Sequence, residues 1–421
     1  LAILLILYFN QIVYNCPNEI EIGEKYMNNT VKDKIPVTLI TGYLGSGKTT
    51  LMNELLKMKS NKKVAIVVND MGTINIDAKL IQNTSLTRYT DMELISMQNG
   101  CICCTLREQF MDQIIELSQK DIDAILVEAS GISDPVSIAE AFLEYEENQI
   151  ESTIYLDSVI TVVDADRIYS EFLEDLSNRT DIEQHNKEQH DKAQDEEESD
   201  PDIINLIMDQ IEFCSLILLN KCDLLTSTQL GEVKEIIKVL QPEARIIETE
   251  FAKASYDDIV SNIPYDYDRI RDSSLINKTL FRNNHNEKEK DEAHEEYGIS
   301  SFVYLERRPF DYDKFMSFLE NEYPETLIRA KGYIWFADDD IHTHLFEQAG
   351  RNATVTEISN WVAALPVEEK ELAITNYPQI LEEWDEIYGD RMNQIVFIGK
   401  GYEKEEIIKK LNQCLGSYGK E

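Results

Sequence analysis

The sequence predicts an α/β fold, a mainly parallel sheet with helices on both faces, followed by a smaller C-terminal α+β domain. Three observations carry this. From Ile35 to about Thr249, short and nearly continuous apolar runs alternate with helical stretches, as strands do when both faces of a parallel sheet are covered. A glycine-rich octapeptide directly follows the first run. Beyond the acidic stretch that ends near residue 298 the strict alternation stops, and two apolar runs flank a helix instead.

Val37–Thr41 is a β run ending at the glycine loop, and Thr49–Lys59 reads as a helix. Val64–Val68 is the next strand, succeeded by the polar run Asn69–Asp77. Arg107–Lys120 is helical, with Phe110, Ile114 and Leu117 on one face. Ala124–Glu128, Ser158–Val163, Ser215–Leu219 and Ala244–Ile247 supply further strands. Right-handed crossovers then set the functional loops at the carboxyl edge of this sheet. In the second domain Ile299–Leu305 and Gly332–Ala337 read as strands around a helix at Asp311–Asn321. Thr354–Val362 is a further strand. Pro378 interrupts the region after it, so only a short helix at Gln379–Tyr388 is assigned there. Asn393–Ile398 and an amphipathic helix at Glu403–Leu415 close the chain. The divisions are an N-terminal extension (1–34), the nucleotide-binding domain (35–270), an acidic linker (271–298) and the C-terminal domain (299–421).

Composition narrows the partners. With 79 Asp and Glu against 40 Lys and Arg in 421 residues, the net charge is −39. Phosphate contacts require basic groups, so nucleic acid is not expected as a partner. The acid is concentrated in part: residues 181–202 carry ten carboxylates and residues 285–296 carry six, and both read as disordered loops that cannot offset their ordering entropy. Their histidines, His185, His190, His285 and His294, read as solvated. The apolar run Leu1–Phe9 is too short to span a bilayer and no basic residue precedes it, so neither membrane anchorage nor secretion is expected. Met27 stands about ten residues before the first recognisable strand, and an over-extended or truncated reading frame explains the preceding residues.

The octapeptide Gly42-Tyr43-Leu44-Gly45-Ser46-Gly47-Lys48-Thr49 satisfies the phosphate-loop pattern, between a strand and a helix as the pattern requires. Gly45 and Gly47 let backbone N–H groups close around the β-phosphate without side-chain interference, and Gly42 and Ser46 belong to the same binding loop. Lys48 reaches the β- and γ-phosphate oxygens, Thr49 ligates magnesium, and Thr50 continues the phosphate cradle. The first domain is therefore of the P-loop NTPase type. Asn220-Lys221-Cys222-Asp223, directly behind a hydrophobic strand, names the base. Asp223 can accept from guanine N1–H and its exocyclic amine, donors that adenine lacks. An unpaired group there gives roughly 10⁴-fold discrimination, so GTP is favoured. Glu128 ends a strand where it can bind the magnesium shell or orient water, and the Gly131 N–H can sense the γ-phosphate. Asp70 and Asp77 lie in a candidate first switch.

Cys101, Cys103 and Cys104 place three soft ligands in four residues, suited to zinc or copper(I). The same run could also be a buried turn, a redox pair or a strained disulfide. Cys16, Cys214, Cys222 and Cys414 are scattered, and seven cysteines in all do not suggest a secreted disulfide framework. Cys214 reads as a small core residue. His342 and His344, beside Asp338–Asp340, carry nothing firm as a metal site. Reduced thiols and nucleotide both point to the cytoplasm.

The chain resembles the CobW-type GTPases, related to the nickel-insertion GTPases. The segments that carry the resemblance are GYLGSGKTT, VVNDMGTINIDAKL, NGCICCTLRE, VEASGISDP, VITVVDA and LLNKCDLL. Beyond the first domain they are EEYGISSFVYLERRPF, RAKGYIWFA and GDRMNQIVFIG, similar to a zinc-associated branch. The resemblance implies that Cys101, Cys103 and Cys104 form a zinc site whose access GTP controls, with Mg2+ and GTP as cofactors and a client metalloprotein as receiver. One departure stands out: Thr73 occupies a place that is acidic in many members, so Asp70 or Glu128 would have to supply that carboxylate. The leading reading is a GTP-hydrolysing zinc metallochaperone. An insertion GTPase for another metal such as cobalt, and a GTP-switched adaptor with structural cysteines, are the alternatives. A homo-oligomer stays open.

Overall fold

The computed structural model describes residues 34–57, 62–69, 93–97, 107–131, 135–148, 152–174, 201–274, 276, 279, 293–294, 297–350 and 352–418. Seven strands among them form the first sheet: β1 (Ile35–Thr41), β2 (Val64–Asn69), β3 (Glu93–Met97), β4 (Ala124–Glu128), β5 (Ile154–Asp164), β6 (Leu216–Asn220) and β7 (Arg245–Glu248). Their order is β3-β2-β4-β1-β5-β6-β7 and every pairing is parallel. The chain leaves β1 to build one side of the sheet and returns past it to build the other. A crevice therefore opens at the carboxyl ends of β1, β4 and β5, where ligands bind in such sheets.

Alternation along the strands feeds two cores. Val37 and Leu39 of β1 face one core with Phe110, Ile114, Ile138, Phe142 and Ile211. Ile40 faces the other with Leu51, Met52 and Leu55. These last three lie on α1 (Lys48–Lys57), whose buried positions 48, 51, 52 and 55 make one helical stripe. The first core is covered by α2 (Arg107–Ser118), α3 (Pro135–Asn148), α4 (Ala165–Phe172), α5 (Pro201–Glu212) and α6 (Ser227–Leu240). The short α7 (Tyr256–Ile259) lies on the second, and α8 (Tyr267–Ser273) contributes Ile270 to the first. The doubly covered parallel sheet expected from the sequence is present.

A six-stranded antiparallel sheet makes the second layer system: β8 (Ala293–His294), β9 (Ile299–Glu306), β10 (Leu327–Phe336), β11 (Asp339–Ala349), β12 (Asn352–Asn360) and β13 (Asn393–Lys400), in the order β12-β11-β10-β13-β9-β8. Helices α9 (Tyr312–Asn321) and α11 (Lys404–Gln413) close over an aromatic core with Phe302, Phe310, Phe315, Phe336 and Phe397.

Several expectations need correction. β11 was not anticipated, because Asp339-Asp340-Ile341-His342-Thr343-His344 is polar and its register shifts between Thr343 and His344. The helix expected at Gln379–Tyr388 is instead a 3-10 turn, Pro378–Glu383, with proline at its start. An unpredicted helix, α10 (Val367–Asn376), precedes it and buries only Ala373, too little for a hydrophobic stripe. Val362 leaves the strand expected at Thr354–Val362 for a 3-10 turn. The acidic stretch 181–202 ends in helix α5, which takes in Pro201 and Asp202, and Ala293–His294 of the expected linker pairs with β9. Residues 175–200 lie outside the described residues. No helix among the described residues is long and apolar enough to cross a membrane.

The two sheets meet through a buried charge cluster. Arg329 on β10 is fully buried and donates to Asn205 Oδ1 at 2.7 Å and Asp209 Oδ1 at 3.2 Å, both on α5. Its Nε lies 3.4 Å from Glu212 Oε1, and Lys331 pairs with Asp209 at 3.0 Å and Glu347 at 2.9 Å. Three carboxylates thus face two cations, and burial pushes Glu212 up to about 7. Protonating it balances the cluster.

This arrangement makes stability depend on pH. Because the folded protein holds the Glu212 proton more tightly than the unfolded chain, this group's contribution to stability falls as pH rises from about 4.5 to about 7. Arg329→Met removes the guanidinium that faces the ionised carboxylate. Its loss of stability should reach about 3–5 kcal/mol above pH 7 and shrink near pH 5, where Glu212 is neutral. Urea midpoints at the two pH values measure it; an equal loss at both would refute the assignment.

Candidate nucleotide site

The phosphate loop leaves β1 with Gly42, Gly45 and Gly47 at φ 135, 79 and 116. Two of these glycines have no substitute. A Cβ on Gly42 would lie 2.3 Å from Val162 O, and one on Gly47 would lie 2.4 Å from Asn220 Nδ2. Lys48, buried at the start of α1, donates to Gly42 O at 2.5 Å and Tyr43 O at 3.2 Å. Its ammonium is held within the curl of the loop. Thr49 Oγ1 donates to Glu128 Oε1 at 3.3 Å. That contact exists because β1 and β4 are parallel neighbours with Ile40 opposite Glu128. Thr50 is exposed on the first turn of α1.

Gly131 comes just after β4 and lies against the phosphate loop, with Leu44 N only 3.0 Å from the place of a Cβ. Its carbonyl accepts from Gln210 Nε2 of α5 at 3.4 Å. α5 therefore touches Gly131 with one residue and the charge cluster under the second sheet with its neighbours.

Asn220, 3% exposed, ends β6 and joins two loops. Its Nδ2 donates to Ser46 O at 2.8 Å, and its Oδ1 accepts from Ala252 N at 2.8 Å and Thr249 Oγ1 at 3.3 Å. Lys221 takes a left-handed φ of 62, and its Nζ pairs with Asp164 at the end of β5. Asp164 also caps α4 by accepting from Arg167 N. Asp223 sits on the exposed turn Cys222–Leu224. Parallel strand order thus brings Gly42, Gly45, Ser46, Gly47, Lys48, Thr49, Glu128, Gly131, Asn220 and Lys221 to one sheet edge. Asp164 lies in the segment VITVVDA, but the sequence assigned it no role, and it gave none to the loop 249–254. The loop's only sequence signal was its place directly behind a strand.

Arg167 stacks its guanidinium 4.5 Å over the ring of Tyr43. Burial pushes the Cys214 thiol up to about 12, fitting a core residue and not a reactive one. His342 Nδ1 lies 3.0 Å from both carboxylate oxygens of Asp339. No group of three metal-competent side chains among the described residues could hold an ion. Cys101, Cys103, Cys104, Asp70, Thr73 and Asp77 lie outside the described residues.

A family model described as the CobW/HypB/UreG nucleotide-binding domain matches residues 36–248, and one described as the cobalamin synthesis protein cobW C-terminal domain matches 299–415. Zinc-regulated GTPase metalloprotein activator 1 of Dictyostelium discoideum is 33% identical over 398 residues, 91% of this chain and 80% of that protein. Zinc chaperone CobW of Pseudomonas aeruginosa is 31% identical, covering 51% of this chain and 56% of its own. The Saccharomyces cerevisiae protein named zinc-regulated GTPase metalloprotein activator 1 is 30% identical, covering 57% and 54%. The chain spans about half the length of these last two.

Gly47→Ala tests the loop geometry. The added methyl displaces Asn220 and strains a backbone that only glycine adopts freely, a cost of about 1–3 kcal/mol. Affinity for a fluorescent guanine nucleotide should fall about tenfold or more, with helix content by circular dichroism unchanged. Binding at the parent affinity would rule out this edge as the phosphate site.

Proposed function

This chain belongs to the CobW/HypB/UreG family, and from that membership we propose that it is a GTP-hydrolysing zinc metallochaperone. The observation that carries the GTP part is Asn220, which ties the phosphate loop at Ser46 to the base-reading turn that contains Asp223. Lys48 would bind the β- and γ-phosphate oxygens from inside the loop, and Asp223 would read guanine through N1–H and the N2 amine.

Thr49 and Glu128 present a hydroxyl and a carboxylate 3.3 Å apart, hard oxygen donors that fit magnesium. When bound, the ion would neutralise charge on the β- and γ-phosphate oxygens. Gly131 would contribute its N–H to the γ-phosphate. Glu128, 3% exposed, can orient water while fixing Thr49.

Zinc is the cargo. Cys101, Cys103 and Cys104 would hold it as thiolates and pass it to a client metalloprotein in the cytoplasm. β3 ends at Met97, four residues before Cys101, at the same sheet edge as the phosphate loop. The names of the relatives, zinc chaperone and zinc-regulated GTPase activator, support this reading over cobalt insertion.

Intrinsic hydrolysis is expected to be slow and magnesium-dependent, on the order of 10⁻⁴ s⁻¹, as in switch GTPases without an arginine finger. Lys48→Ala should abolish turnover; hydrolysis at the parent rate would remove Lys48 from the site.

The decisive test is coupling. Zinc affinity, read by competitive chelator titration, should differ about tenfold or more between the GDP form and the form bound to a non-hydrolysable GTP analogue. Such a difference is about 1.4 kcal/mol, and zinc must change nucleotide affinity by the same factor. The coupled site should vanish when Cys101, Cys103 and Cys104 are replaced by serine. Equal zinc affinity in both nucleotide states would leave an adaptor with structural cysteines.

A further inference from the structure

The loop behind β7 holds an arrangement that packing does not account for. Phe251 is 65% exposed, although a phenylalanine with no task gains by burial. Phe251 and Ala252 are consecutive non-glycine residues at left-handed φ values of 56 and 52. Side chains seldom adopt that region, and where the surrounding structure enforces it the residue tends to belong to a binding site. The enforcement here is explicit. Ala252 is fully buried and its N–H is held by Asn220 Oδ1 at 2.8 Å, while Thr249 N donates to Leu219 O at 2.8 Å. Cys222 N donates to Thr249 O at 3.3 Å, fastening the loop to the turn that carries Asp223. Ala252 also approaches the phosphate loop, lying 3.6 Å from the place of a Cβ on Gly47.

Anchoring Ala252 beneath the phosphate loop turns the preceding ring outward. Lys253 Nζ lies 5.7 Å from the Phe251 centroid, adding a positive charge beside it. We propose that Phe251 forms one wall of the base pocket, its ring stacking on the face of the guanine whose edge Asp223 reads. The inference rests on the GTP reading above and adds to it a contact that senses the face of any purine and not its edge substituents. Phe251 is thus an affinity determinant and Asp223 the specificity determinant.

Calorimetric titration of the full chain with GDP and IDP tests this, using the parent, Phe251→Ala and Phe251→Trp. Alanine keeps the backbone demand at this φ and removes only the ring. Phe251→Ala should weaken GDP and IDP by the same factor, about tenfold or more, as expected for a lost aromatic–base stack. KM for GTP should rise with kcat at saturation unchanged. Phe251→Trp should bind GDP near the parent affinity, and GDP should quench its added indole emission, read as a difference from the parent under the same titration. Phe251→Ala binding GDP within twofold of the parent would overturn the proposal, as would an indole unaffected by saturating GDP. A parent that binds no guanine nucleotide would instead overturn the GTP reading itself, so the two failures are distinct.

Discussion

One buried carboxamide, Asn220, holds the nucleotide site together. A side-chain amide out of water must place its donor and acceptor, and Asn220 places them on different loops: its N–H on Ser46 O, its carbonyl oxygen on Ala252 N. The phosphate loop and the loop behind β7 are therefore fixed relative to each other without crossing the space between them. Gly47 must be glycine because Asn220 occupies the place of its Cβ. Lys221 is thrown into the left-handed region by the turn that begins there, and its charge is taken up by Asp164.

The second dependence is electrostatic. Arg329 and Glu212 are both withdrawn from water, and in their ionised forms each is offset by the other and by the neighbours Asp209, Lys331 and Glu347. The cluster joins β10 to α5, and α5 also touches Gly131 through Gln210. A single helix thus lies between the phosphate loop's neighbour and the antiparallel sheet, which gives the second domain a physical connection to the nucleotide edge.

How much was legible depends on how local the signal was. Ala124–Glu128 was read to the residue, because a fully buried strand is a continuous apolar run bounded by polar residues. The strand–loop–helix setting of Gly42–Thr49 and the turn behind Asn220 were legible for a similar reason, since fixed residue types at fixed spacing mark both places. β11 was not, because its exposed half carries Asp339, Asp340 and two histidines while its pairing comes from β10 and β12. α10 was hidden because it buries a single alanine. Phe251 and Ala252 carried no pattern, since a left-handed backbone at ordinary residues is imposed by neighbours and not written in the residues themselves.

The sequence by itself determined the chemistry on offer: a phosphate-loop pattern, an Asn-Lys-Cys-Asp turn behind a strand, a run of three cysteines and a strongly acidic chain. Those are properties of residue type and short spacing, and local physics suffices to read them. Only the tertiary structure decided which side chains share a site. Glu128 meets Thr49 across 79 residues, Asn220 meets Ser46 across 174, and Arg329 meets Asn205 across 124. Such contacts depend on strand order and register. Those are set by the packing of the whole sheet, and no window of the sequence contains it.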